Sequence, residues 1–276
     1  MVDPRTSQLC FSGAADTAAV AGSSDPAALP LGGRVAIVTG ASRGIGRAIA
    51  AHLSSLGASV VLGYASSTAE ADALAAELPR AVAVRADVSE EAGVRSLFDA
   101  AESAFGCAAP HILVANAGVN GDKYPPLADT AAADFDRVLA VNARGSFLCL
   151  REAANRLPRG GGGGRIVAVT SSVVGSLPAG YSPYTASKAA VEAMVRTMAK
   201  ELKGTRVTAN CVAPGATATD LFFAGKSDET VRRVAETNPM ERLGETGDIA
   251  PVVGFLCTDA AEWVNGQVIR VNGGYV

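Results

Sequence analysis

The sequence predicts a three-layer α/β fold, a doubly wound seven-stranded parallel sheet with helices on both faces. Three observations carry this. Seven short runs rich in Val and Ile alternate with six longer helical stretches after Gly33. The runs are almost continuously apolar, as strands buried on both faces are. Alternation of strand and helix, joined by right-handed crossovers, leaves a doubly wound sheet as the main solution.

The elements follow in order. The first strand is expected at 34–39 (RVAIVT), and a helix at 44–57 follows it across a glycine-rich turn. SVVLG at 59–63 is the second strand, with an Ala-rich helix at 68–78 behind it. AVAVR at 81–85 pairs with a helix at 90–105, and HILVA at 111–115 with a long helix at 131–157. RIVAVT at 165–170 comes after a loose glycine run at 160–164 and before a helix at 184–203. VTANCV at 207–212, a helix at 246–258 and QVIRV at 267–271 complete the set. Residues 1–30 stand apart. They are small, polar and Ala/Ser/Gly-rich, with Pro4, Pro26 and Pro30 and no helical period. A disordered or loosely packed tail is expected there, and a single domain over 31–276. A plastid transit segment is the alternative for the tail. Asp3, Asp16 and Asp25 count against it, because such segments are poor in acids. A cytoplasmic location is therefore expected, with the chloroplast as alternative.

Composition excludes several classes of function. The 276 residues carry 24 Lys+Arg against 27 Asp+Glu, a net charge of −3. Nucleic acids and anionic membranes want a basic field, so neither is an expected partner. The longest uncharged stretches, 104–121 and 166–187, contain Pro, Gly or several hydroxyls and read as strands with loops. Five scattered cysteines, never in CxxC spacing, make neither a disulfide framework nor a zinc site. His52 and His111 are the only histidines, too few for a His-rich metal centre, and no metal is expected.

The first turn carries the strongest motif. Thr39-Gly40-Ala41-Ser42-Arg43-Gly44-Ile45-Gly46 lies between strand and helix, the context that marks a Rossmann dinucleotide site. Gly40 permits a tight turn, Gly44 lets the backbone approach a pyrophosphate, and Gly46 lets helix and strand pack closely. The helix start then faces the phosphates. An NAD site places an acid at the end of the second strand. Here that end reads Tyr64-Ala65-Ser66, and the next acid is Glu70. Arg43 inside the loop can hold a 2′-phosphate. The expected cofactor is NADP(H).

Tyr184 and Lys188 are four residues apart, one turn apart on one helix face. A phenol titrates near pH 10, too high for neutral acid–base work, and a nearby ammonium is expected to lower it. The pair suits proton transfer to an oxygen bound to carbon.

Together these features resemble the single-domain type of the short-chain dehydrogenase/reductase family over residues 31–276. Asp87-Val88 resembles the family's adenine contact, and Asn116-Ala117-Gly118 its NNAG segment beside the cofactor. The first Asn of NNAG is Ala115 here. Asn142 matches the family's catalytic Asn, which supports a water relay to the Lys. Pro214, Gly215, Thr217 and Thr219 match the segment that holds the nicotinamide amide. Ser171 and Ser172 compete for the family's serine. Counting along the strand, and the 13 residues back from Tyr184, favour Ser171; the Val-Val-Gly phrase that follows favours Ser172. Ser171 is taken.

The resemblance implies reduction of a carbonyl by NADPH. Ser171 would bond the carbonyl oxygen and Tyr184 donate the proton. Lys188 would hold the nicotinamide ribose and tune the Tyr, and Asn142 would anchor the relay water. Helices 131–157 and 184–203 would pair between subunits in a homodimer or homotetramer. The phrases at 123–130, 147–163, 222–229 and 262–276 are similar to plant NADPH-dependent aldehyde reductase-like members. The substrate side is expected at 119–124, 173–181 and 216–225. Its Val173, Val174, Leu177, Leu221, Phe222 and Phe223 suit an apolar aldehyde or ketone, with the Phe pair as a lid. A 3-oxoacyl-carrier-protein reductase is the alternative, and Lys123, Lys226, Arg232 and Arg233 are its available basic patch. A non-catalytic dinucleotide-binding scaffold is a third reading.

Overall fold

The computed structural model describes residues 29–121, 123–160 and 162–276. The tail expected over 1–30 thus lies almost wholly outside the described residues. The expected sheet is present. Its strands are β1 (Val35–Thr39), β2 (Ser59–Tyr64), β3 (Ala81–Arg85), β4 (Ile112–Ala115), β5 (Arg165–Val169), β6 (Thr208–Pro214) and β7 (Val268–Val271). All pair in parallel, in the order β3-β2-β1-β4-β5-β6-β7. The central strands are buried along their whole length, which is why their sequences do not alternate.

Helices cover both faces. On one side α1 (Gly44–Ser55) and α10 (Thr246–Cys257) pack Ile49, Leu53, Ile249 and Val253 onto the sheet. On the other, α3 (Glu91–Phe105), α5 (Ser146–Arg156) and α7 (Ser182–Glu201) pack Leu97, Phe98, Leu148, Val191 and Val195. A short α2 (Thr68–Glu77) joins β2 to β3. Local chemistry sets the helix ends. α3 stops at Gly106 in the left-handed region, α7 starts with a proline in its first turn, and α10 opens on a Glu245/Asp248 capping box.

The structure departs from expectation in two places. The single helix expected at 131–157 is α4 (Ala132–Leu139), a π-helical segment Ala140–Gly145, and then α5. Three helices outside the expected set lie at the C-terminal edge of the sheet: α6 (Val173–Ser176), α8 (Asp220–Phe223) and α9 (Asp228–Glu236). Strand order reverses between β1 and β4, so the loops after these two strands diverge and leave a crevice. Among the described residues no helix is long and apolar enough to cross a membrane. Nor does any group of three His, Cys, Asp or Glu among them have the arrangement to hold a metal ion.

Candidate active site

The crevice begins with a turn that only glycine can make. Gly40 has φ +64°, and a Cβ there would fall 2.9 Å from the Ala117 Cα. A Cβ on Gly46 would fall 2.1 Å from the Gly40 carbonyl oxygen and 2.4 Å from Asn116 Nδ2. No side chain fits, so α1 starts directly on the turn. Arg43 is its N-cap, with extended backbone and no side-chain hydrogen bond to the first amides. Those amides remain available to an anion.

Asn116 locks this turn to the loop after β4. Its amide donates to Thr39 O at 2.9 Å and Gly40 O at 3.2 Å. The Thr39 hydroxyl accepts from the backbone amides of Asn116 and Ala117, each at 3.0 Å. Ala115, in place of the family's first Asn, is buried in the α3/α5/α7 core and keeps its strand pairing to Ala168.

The end of β2 carries no acid. Tyr64 is buried, and Ala65 and Ser66 are exposed. The Arg43 side chain is 67% exposed, with a long 3.9 Å contact to Asp220. A second guanidinium is close by: Arg85 Nε donates to Ala65 O at 3.2 Å. Two cations and no carboxylate at the end of β2 suit a 2′-phosphate. Asp87 uses one oxygen to cap its own turn, through Ser89 N at 2.9 Å and Ser89 Oγ at 2.7 Å. Val88 packs against Gly145, where a Cβ would fall 2.9 Å from its Cγ2. These residues fit a dinucleotide phosphate backbone and its adenosine end.

Four elements converge at the other end of the crevice. Lys188, 3% exposed on α7, donates its Nζ to Val169 O at 2.9 Å. Nζ is 5.7 Å from the centre of the Tyr184 ring. The Ser171 hydroxyl is near enough to the Tyr184 phenol to pull its pKa down, and it accepts from Val173 N at 3.3 Å. Ser172 is placed differently. It is buried, donates to Ala213 O at 3.1 Å and accepts from Asn272 Nδ2 at 3.0 Å. Its hydroxyl is committed to holding the loop.

Asn142 sits fully buried in the π-helical segment. Its Oδ1 accepts from Val119 N at 2.8 Å; its Nδ2 donates to Val119 O at 2.9 Å and Ser187 Oγ at 3.0 Å. Ser187 Oγ in turn donates to Tyr184 O at 2.7 Å. Both amide hydrogens of Asn142 are therefore used on protein. The side-chain amide ties the β4 loop to the first turn of α7. Gly118 lies close beside both: a Cβ there would be 3.3 Å from Lys188 Nζ and 3.4 Å from Asn142 Oδ1.

The electrostatics correct one expectation. Burial pushes the Tyr184 phenol up to about 12, against a smaller downward pull from Ser171. The expected lowering by Lys188 does not accompany it; its ammonium donates to the Val169 carbonyl. Burial also pulls Lys188 down to about 8.

The segment Pro214–Thr219 closes the crevice. Gly215 sits against Asn272, where a Cβ would fall 2.9 Å from its Cα. Thr217 Oγ1 donates to Gly215 O at 3.0 Å, and Thr219 caps α8 through Phe222 N at 3.3 Å. Thr219 also faces Gly44, bringing the two ends of the crevice's rim together.

A family model described as enoyl-(acyl carrier protein) reductase matches residues 40–276. A short-chain type dehydrogenase/reductase of Picea abies is 54% identical over 256 residues, covering 89% of this chain and 93% of the relative. The chain belongs to the short-chain dehydrogenase/reductase family. An NADPH-dependent aldehyde reductase-like protein, chloroplastic, of Arabidopsis thaliana is 57% identical over 261 residues, 90% of this chain and 96% of the relative. A blue fluorescent protein from a metagenomic library, crystallised with NADPH, superimposes with a TM-score of 0.82 at 34% identity, covering 90% and 99%.

Within this family frame, Thr39, Arg85 and Asn272 are site residues the sequence reading did not single out. Thr39 and Asn272 act through hydroxyl and amide contacts that no spacing reveals. Arg85 had a signal: it ends β3 beside an acid-free β2.

The burial of Lys188 yields a stability prediction. Its folded pKa is below its unfolded value, so the charged form destabilises the native state, fully so below pH 8. That penalty fades as pH rises from about 8 toward 10.5. Lys188→Met removes the charge. Its unfolding free energy should exceed that of the wild type by most at pH 7, with the gap closing by pH 10. Denaturant titrations at the two pH values measure it; a gap that widens with pH refutes the assignment.

Proposed function

We propose that the chain is an NADPH-dependent oxidoreductase that reduces the carbonyl of an apolar aldehyde or ketone to an alcohol. The observation that carries this reading is the juxtaposition of Ser171, Tyr184 and Lys188 at one end of a glycine-built dinucleotide crevice. The names of the Arabidopsis relative and of the NADPH-bound structure support the cofactor and the substrate class.

Bound NADPH supplies the hydride. Ser171 and Tyr184 present two hydroxyls to the substrate carbonyl oxygen. Tyr184 keeps its proton throughout the neutral range, because burial holds the phenol near 12. It is thus set to donate to the alkoxide as that charge develops. Lys188 sits a turn behind with its ammonium fixed by Val169, and it would hold a hydroxyl of the nicotinamide ribose. Asn142 positions rather than reacts, holding α7 and the β4 loop together. Gly40, Ser42, Arg43, Gly44, Ile45 and Gly46 take the phosphates, with Arg43 and Arg85 on the 2′-phosphate. Asn116, Ala117, Gly118, Pro214, Gly215, Thr217 and Thr219 border the nicotinamide half.

The family model's description raises an acyl-carrier-protein substrate as the second reading. Of its basic patch, Lys226 is held against Tyr124 and Phe222. The word chloroplastic in the name of the Arabidopsis relative supports the chloroplast alternative for this chain over the cytoplasmic one.

Three outcomes follow. Tyr184→Phe should lower kcat for aldehyde reduction by about 10²- to 10⁴-fold while NADPH still binds, read by NADPH fluorescence. Full retention of turnover would falsify Tyr184 as proton donor. Arg43→Glu should cut the preference for NADPH over NADH by about ten-fold or more in kcat/KM, since it reverses a charge-assisted contact. An unchanged ratio moves 2′-phosphate recognition elsewhere. Isolated chloroplasts should import the full chain into a protease-protected form, and failure to import returns the protein to the cytoplasm.

A further inference from the structure

Tyr124, in the loop after β4, and Lys226, beyond α8, are 102 residues apart and in direct contact. Lys226 Nζ donates to the Tyr124 hydroxyl and to Phe222 O, the latter at 2.6 Å. The Tyr124 hydroxyl donates to Ala224 O at 3.0 Å. The Tyr124 ring lies against Tyr181, with centroids 4.7 Å apart and planes inclined by 31°. The ammonium is 4.4 Å from the centre of the Tyr124 ring and 4.8 Å from that of Phe222. Gly180 makes the ring pair possible: its φ is +80°, and a Cβ would fall 2.6 Å from Tyr124 O. Two hydrogen bonds thus clasp the β4 loop to the α8 loop, and the ring pair ties the same loop to the start of α7.

The clasp borders the reacting centre. Tyr181 is the N-cap of α7, three residues before Tyr184, so the two side chains leave the same side of the helix start. The Tyr124 phenol is also close enough to raise Tyr184 further. The Tyr124 and Tyr181 rings therefore stand beside Tyr184, and Lys226 holds the Tyr124 hydroxyl in place with the Phe222 ring on its other side.

We propose that Lys226, acting through Tyr124, is a specificity-determining residue that selects aldehydes and ketones bearing a flat aryl or conjugated group. This rests on the carbonyl-reduction reading and narrows its substrate class. A flat π system packs offset or edge-on against fixed rings. A puckered aliphatic ring of similar size gains the same burial without that geometry. The gain is about five-fold in KM.

Benzaldehyde and cyclohexanecarbaldehyde differ in flatness at nearly equal size; conjugation also lowers the intrinsic reactivity of the benzaldehyde carbonyl, so the comparison is read in KM and in its change between wild type and variant. The wild type should favour benzaldehyde by about five-fold or more in KM. Lys226→Met keeps the apolar stem but loses the hydrogen bonds, and Tyr124→Phe keeps the ring but loses the hydroxyl. Both should bring the ratio toward one, and Lys226→Arg should restore part of it. NADPH fluorescence confirms that each variant is folded. A wild type without the preference, or variants that keep it, overturns the proposal while leaving carbonyl reduction intact. A wild type that binds NADPH and reduces neither aldehyde overturns the carbonyl-reduction reading and takes this one with it.

Discussion

The hydrogen bond from Lys188 Nζ to the Val169 carbonyl is the contact on which the site depends. It pins the first turns of α7 to the C-terminal end of β5. Because Tyr184 lies one turn earlier on the same helix, the bond also sets where the phenol stands relative to Ser171, which follows β5. The arrangement is expensive. An ammonium that is 3% exposed, with a backbone carbonyl as its hydrogen-bond acceptor, is poorly compensated for the water it loses. A structure selected for stability alone would place an apolar side chain there. Local cost at a site is expected where a charge must face a ligand, and the surrounding fold offsets it.

The neighbours of that ammonium share the constraint. A Cβ on Gly118 would be a tight fit between Lys188 and Asn142. Asn142 is oriented inward by the π-helical segment, which adds a residue to the turn and swings the amide onto Val119. Such segments are rare and concentrate at functional sites. Here the segment carries Asn142, whose amide spans Val119 and Ser187.

What was legible in the sequence follows from these same forces. The strands were readable because burial on both faces demands unbroken Val and Ile. The glycine turn was readable because nothing larger than hydrogen fits at Gly46. The three extra helices were not, because α6 and α8 are single turns and α9 packs no buried residue, so none leaves an apolar period. The π-helical segment was hidden because one inserted residue barely disturbs periodicity. Lys226 read as a free surface cation because its partner Tyr124 comes from a distant loop. The direction of the Tyr184 shift was misjudged for a related reason. Spacing places Lys188 near Tyr184, but it does not say that the ammonium turns to Val169.

That last difference bears on the direction of the chemistry. Lys188 near 8 and Tyr184 near 12 leave the pair, at neutral pH, as ammonium and neutral phenol. A phenolate, which alcohol oxidation would need as base, is disfavoured by burial before substrate arrives. A neutral phenol, which reduction needs as acid, is the resting form. The oxygen of a carbonyl under hydride attack gains negative charge in the same buried space, and there a proton donor is worth more than in water. The resting protonation state is thus the one from which Tyr184 donates, and the developing alkoxide, a far stronger base than water, is what draws the proton off.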